Sequence, residues 1–144
     1  MLFRSVMAAA VADYAPVDRA GQKVAKRGDT ITLTLKKNPD ILADLGQRRL
    51  TAGRGPLLVG FAAETENVVA GAAAKRERKH VDVIVANDVS RADAGFEVDT
   101  NAVTIVGANG AESIPLQSKS GVACAILNHI ERLLTWTATT SSNT

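Results

Sequence analysis

Between Pro56 and Ala86 the chain changes its period twice without a break. Pro56-Leu57-Leu58-Val59-Gly60-Phe61 is a short apolar run that reads as a strand. From about residue 66 to 79, Val68, Gly71, Ala72, Lys75 and Lys79 recur at spacings of three and four, one stripe of a helix. Val81–Ala86 follows at once, and so apolar a run suits a parallel strand buried on both faces. Strand, helix and strand in immediate succession leave few folds open, because parallel neighbours need a crossover and the crossover helix must cover the sheet. The expectation is an α/β fold: a Rossmann-like, doubly wound, mostly parallel sheet. Aromatic residues make up only 3% of the 144, so its core has to come from Ala, Val, Leu and Ile.

The remaining segments fit that plan. Val6–Ala12 is small and apolar and reads as a buried strand ending at Asp13. Residues 15–29, with Gly21 and Gly28 among Lys23, Lys26 and Arg27, read as a mobile basic loop. Ile31–Leu35 alternates with period two, as a half-buried strand does. Asn38-Pro39-Asp40 opens a short helix, with Asn38 as cap and Pro39 at the first helical position, ending near Gly46; 47–56 is then a loop. Ala102–Val106 and Glu112–Leu116 flank Gly107-Ala108-Asn109-Gly110, an appended β-hairpin. A last helix, 118–134, carries Val122, Ala125, Ile126, Ile130 and Leu133 on one face, and 136–144 reads as a disordered tail. Residues 1–5 precede the first strand so abruptly that a non-native start is expected, with the fold's amino-terminal strands missing and one domain over 6–135.

Open α/β sheets bind ligands beyond the carboxyl ends of their strands. Three such ends carry polar tips here: Asp13-Tyr14, Gly60–Thr65 and Asn87-Asp88. Together they suggest one shared site, and basic residues at 19–27, 36–37 and 75–79 suggest an anionic ligand. In Gly60–Thr65, the small residues let a ligand approach the backbone and Phe61 can cover a ring; the plain alternative is a tight strand–helix junction. Asp13 and Asp88 could bind a cation or hydroxyls, or merely cap loops. Lys75 and Lys79 face the sheet, though lysines at a helix end also snorkel against its negative pole.

Several classes are poorly supported. A net charge of +2 is too small for a nucleic-acid-binding protein. No apolar stretch approaches the roughly 20 residues needed to span a bilayer. GxGxxG, P-loop, CxxC-pair and HExxH patterns are absent, against dinucleotide oxidoreductases, P-loop NTPases and zinc enzymes. One cysteine, Cys124, fits a reducing, cytoplasmic setting and reads as a core thiol.

Ala9-Ala10-Val11-Ala12-Asp13-Tyr14, the lysine loop, Lys37-Asn38-Pro39-Asp40-Ile41, Val59–Thr65 and Ala86-Asn87-Asp88-Val89-Ser90 occur in that order. Over about 7–133 this resembles phosphopantothenoylcysteine synthetase, the phosphopantothenate–cysteine ligase family of coenzyme A synthesis. The resemblance implies a homodimeric ligase whose substrates are 4′-phosphopantothenate, L-cysteine and CTP. It also implies a magnesium ion at residues that the sequence does not identify, and no FMN in this chain. It assigns Met7, Ala8, Ala9 and Asp13 to CTP contact, Lys23 and Lys26 to charge stabilisation during activation, with Lys23 also touching CTP. Pro39, Asp40, Ile41 and Leu42 would line the nucleotide site, Phe61 would lie near cytosine, and Lys75 and Lys79 match the family's two helix lysines. Ala25 stands where the family's loop has another lysine, and Ala15 where an arginine is usual. The alternative function is a non-catalytic nucleotide-binding or dimerisation fragment.

Overall fold

The computed structural model describes residues 4–25, 28–89 and 98–140, the last five by backbone alone. A five-stranded sheet runs β1 (Arg4–Met7), β4 (Leu57–Glu64), β5 (Val83–Asp88), β6 (Thr100–Gly107), β7 (Gly110–Ser118) in that spatial order. β1, β4 and β5 are parallel neighbours, whereas β5/β6 and β6/β7 are antiparallel. A small separate sheet pairs β2 (Tyr14–Pro16) with β3 (Leu35–Lys37). Helices α1 (Ile41–Ala52) and α2 (Val68–Lys79) precede β4 and β5, and α3 (Lys119–Thr140) follows the hairpin.

Alternation along the strands divides the core into two layers. Val59, Val83, Val85, Val103 and Ile105 pack with Val122, Ile126 and Ile130 of α3. Leu58, Ala62, Ile84, Ala86 and Val106 turn the other way, against Leu42 of α1 and Ala72 of α2. Helices therefore cover both faces, as expected of a doubly wound sheet, and β5 is buried on both sides. The α2 stripe reads as anticipated: Ala72 is buried, and Val68, Gly71, Lys75 and Lys79 are half-buried.

Other local expectations fail, each for a physical reason. β1 ends at Met7, because its pairing stops at Met7↔Gly60; residues 8–13 are exposed loop, not strand. The period-two run 31–35 joins the small sheet only at its end, where the Thr34 carbonyl accepts from Val17 N–H and Leu35 meets Pro16, and Ile31 and Leu33 stay 71% and 62% exposed. The cap of α1 is Asp40, whose side chain accepts from the Ala43 N–H at 3.1 Å; Asn38 is used elsewhere. Gly46 does not end that helix, which runs on to Ala52 and closes at Gly53 with φ 63°. α3 continues past Trp136 to Thr140, since helix extension is cooperative and threonine costs only a few tenths of a kcal/mol. Cys124 is exposed on that helix, not in the core. No helix among the described residues is long and apolar enough to cross a membrane.

Candidate functional site

A cavity of about 460 Å³ opens where β1 gives way to loop and β4 continues with β5 as its one strand neighbour. This is within the size range of small-ligand sites. Four stretches of chain line it: Met7 with Ala9–Tyr14, Lys37–Leu42, Phe61, and the α2 face bearing Lys75, Arg78 and Lys79. Met7, Ala9, Asp13, Pro39, Asp40, Ile41, Leu42, Phe61, Lys75 and Lys79, all proposed from sequence, therefore share one hollow. The reach from Phe61 to both helix lysines, long along the helix axis, is spanned by that single cavity.

Local chemistry explains how these segments meet. Asn38 donates its backbone N–H to the Asp13 carbonyl and its side-chain Nδ2 to the Ala12 carbonyl, both at 2.8 Å. That double bond ties the loop after β1 to the entry of α1. Asp40 then caps α1 and also meets Lys79 Nζ at 3.0 Å, joining the starts of the cavity floor to the end of α2. Gly46 permits the crossing of the two helices, because a β-carbon there would overlap the Lys79 carbonyl oxygen. Gly60 has a similar role: a β-carbon on it would overlap Leu42 and come within 3.0 Å of Ile84. Its missing side chain thus makes room for α1, and the packing alternative holds for this glycine. Phe61 next to it stays 40% exposed and available to a ligand.

The cavity is cationic but partly neutralised. Lys75 lies 2.7 Å from Glu64, which is tucked beside Gly71, so this lysine is held from the β4 end. Burial pushes the Asp40 carboxyl upward, but the Ala43 N–H, the Lys79 ammonium and the nearby charge of Arg78 outweigh it and hold the pKa below the ordinary value. Asp40 is thus an anion at neutral pH, committed to Lys79 and the helix cap. Lys37, Arg78 and Asp13 also line the cavity and have no ion pair among the described residues.

Some expectations are not met. Ala8 and Lys23 are exposed and are not among the lining residues; Lys26 and Ser90 lie outside the described residues. Asn87 and Asp88 close β5 away from the cavity, so two strand ends converge there and the third does not. Sequence reasoning missed Arg78, Asn38 and Lys37. Arg78 was within reach: it stands three residues after Lys75, inside the basic run 75–79 that suggested an anionic ligand. No cluster of three or more His, Cys, Asp or Glu suited to a metal occurs among the described residues. Magnesium commonly binds through one or two carboxylates plus substrate phosphates, and Asp13 is the lining carboxylate not already engaged by a cation. The donor set therefore fits an ion carried mainly by a phosphate ligand.

Comparison with known proteins shows the family and the fold. The family model for the DNA/pantothenate metabolism flavoprotein C-terminal domain matches residues 4–134. The coenzyme A biosynthesis bifunctional protein CoaBC of Vibrio cholerae is 46% identical over 127 residues, covering 87% of this chain and 31% of the relative. That of Haemophilus influenzae is 45% identical, covering 85% and 30%. The chain thus spans about a third of the length of these curated relatives. A crystal structure of the C-terminal domain of CoaBC is 34% identical, covers 90% of this chain and 54% of its own, and superposes with a TM-score of 0.66. The DNA/pantothenate metabolism flavoprotein of Streptococcus pneumoniae, at 22% identity and TM-score 0.63, shares the fold.

Proposed function

The chain belongs to the DNA/pantothenate metabolism flavoprotein C-terminal domain family, and from that membership we infer that it serves coenzyme A synthesis as a CTP-dependent phosphopantothenate–cysteine ligase. The carboxylate of 4′-phosphopantothenate attacks the α-phosphorus of CTP, and pyrophosphate leaves. The amine of L-cysteine then attacks the acyl carbon of the resulting acyl-cytidylate, and CMP leaves with the bonding electrons as the amine loses its proton. A carboxylate becomes an acyl donor only once its oxygen belongs to a good leaving group, which is the chemical need that CTP meets.

The observation that carries this reading is the convergence of the Met7–Asp13, Pro39–Leu42, Phe61 and Lys75–Lys79 segments on one cationic cavity. Each segment has a physical task within it. The exposed ring of Phe61 offers an apolar surface for a base, and Lys75 and Lys79 offset phosphate charge as it builds. Asp40 holds Lys79 and the helix start in register, so the phosphate-facing charge is arranged before the ligand arrives. Lys23, on an exposed segment beyond the cavity wall, reaches the phosphates only if that segment closes over them. Bound magnesium would supply further neutralisation of the triphosphate, with Asp13 as its protein partner.

The test is CMP release measured with each substrate omitted in turn. CMP formation should require both phosphopantothenate and cysteine; release undiminished without phosphopantothenate would refute the ligase assignment. Calorimetry with CTP against ATP separates this from generic anion binding, for which the two nucleotides would bind alike.

A further inference from the structure

We propose that Arg78 is a phosphate-binding residue of the cavity, the guanidinium on which a polyphosphate chain sits. The argument begins from which charges are already spent. Of the four cationic residues lining the cavity, Lys75 is paired with Glu64 at 2.7 Å and Lys79 with Asp40 at 3.0 Å. Each of these lysines brings its own carboxylate, so an arriving anion meets two salt bridges in place of two bare ammonium groups. Arg78 and Lys37 are the lining cations with no ion pair among the described residues.

Arg78 is the better placed of the two. It stands three residues beyond Lys75, a neighbour of that lysine on the helix surface, and lines the same cavity as both held lysines. Its field already reaches Asp40 and lowers the pKa of that carboxyl, while the carboxyl itself is engaged by Lys79 and the Ala43 N–H. A planar guanidinium offers forked donors that match two phosphate oxygens at once, which an ammonium does not. The simpler explanation, a basic residue placed to suit the helix's negative pole, is weakened by its neighbours. The last turn of α2 already carries Arg76 and Lys79 for that purpose, and Arg76 lines a different cavity.

This inference rests on the polyanion part of the ligase reading but not on its cytidine part, and the probes are chosen to keep the two apart. Binding of inorganic tripolyphosphate and of CTP is measured by calorimetry on the chain and on Arg78→Gln, Arg78→Lys and Lys119→Gln. Lys119, at the start of α3, controls for loss of one positive charge away from the cavity. Arg78→Gln should weaken both ligands about tenfold, the scale of one charge-assisted hydrogen bond. Arg78→Lys should recover part of that loss, and Lys119→Gln should leave binding unchanged. Equal losses in Arg78→Gln and Lys119→Gln, or none in Arg78→Gln, would overturn the assignment, as would a chain that binds neither probe. A lowered melting temperature in Arg78→Gln would assign the residue to structure and overturn it too. Tripolyphosphate binding that depends on Arg78, with CTP and ATP bound equally, would uphold this inference while refuting the nucleotide preference of the ligase reading.

Discussion

Replacing Gly46 with alanine puts a methyl group at the crossing of α1 and α2. The added β-carbon would overlap the Lys79 carbonyl oxygen and lie 3.0 Å from its carbonyl carbon and 3.1 Å from the His80 oxygen. These are main-chain atoms at the end of α2, so no side-chain rotation relieves the contact. Non-bonded heavy atoms prefer separations of about 3.5–4.0 Å, so α1 and α2 must part locally by about 1.5 Å. Overpacking of this kind costs about 3 kcal/mol, while alanine in a helix regains about 1 kcal/mol over glycine. The net loss is about 2 kcal/mol, which lowers the melting temperature of a chain this size by about 7 °C. The same displacement stretches the Lys79–Asp40 pair, so nucleotide affinity should fall along with stability. Thermal unfolding followed by circular dichroism, with CTP binding measured at 25 °C, tests both consequences. An alanine variant as stable as the parent would refute the reasoning, since helix propensity alone favours alanine.

Three further outcomes are expected. Asp40→Ala removes the α1 cap and should cost about 1 kcal/mol, read from denaturant midpoints; unchanged midpoints would mean that the cap bond is immaterial. Glu112 accepts from His129 at 2.7 Å and Arg132 at 2.9 Å, contacts that hold its pKa below the ordinary value, with the His129 hydrogen bond the largest cause. A depressed carboxyl stabilises the fold above its unfolded value of 4.5, and that stability is lost as pH falls through the lower folded value. Glu112→Gln should therefore be less stable than the parent near pH 6, and the gap should close in acid; a gap independent of pH would contradict the linkage. Lys23→Gln should lower ligase turnover about 100-fold with folding intact, and unchanged turnover would remove Lys23 from charge stabilisation.

What the sequence made legible was whatever a period or a turn residue encodes locally. The α2 stripe, the strand on either side of it, the face of α3 and the hairpin at Gly107–Gly110 all carry such signals. What it concealed depends on partners distant along the chain. Val6–Ala12 looks like a strand, but only residues as far as Met7 find β4 to pair with. Ile31 and Leu33 alternate correctly and still face solvent, because no strand lies opposite them. Gly46 resembles a helix stop and is a crossing point, which only the position of Lys79 reveals. The site followed the same division. Most residues of the ordered motifs share one cavity, Ala8 and Lys23 fall outside its lining, Lys26 lies outside the described residues, and Arg78 was not singled out although it lies in the basic run 75–79. The charge balance that singles it out appears only when Glu64 and Asp40 are seen against their lysines.

The early stop of β1 sets the width of the cavity mouth. β4 runs on from Phe61 to Glu64 after β1 has left it at Gly60, and Asn38 leads the departing chain off toward the small sheet. Were pairing to zip onward by a few residues, the backbone of Ala8 to Ala10 would lie along β4 and seal the entrance. Alanine, a poor strand former, suits that stretch for this reason. A doorway is kept ajar here by the weakness of three small residues, and branched side chains at those positions would favour closing it.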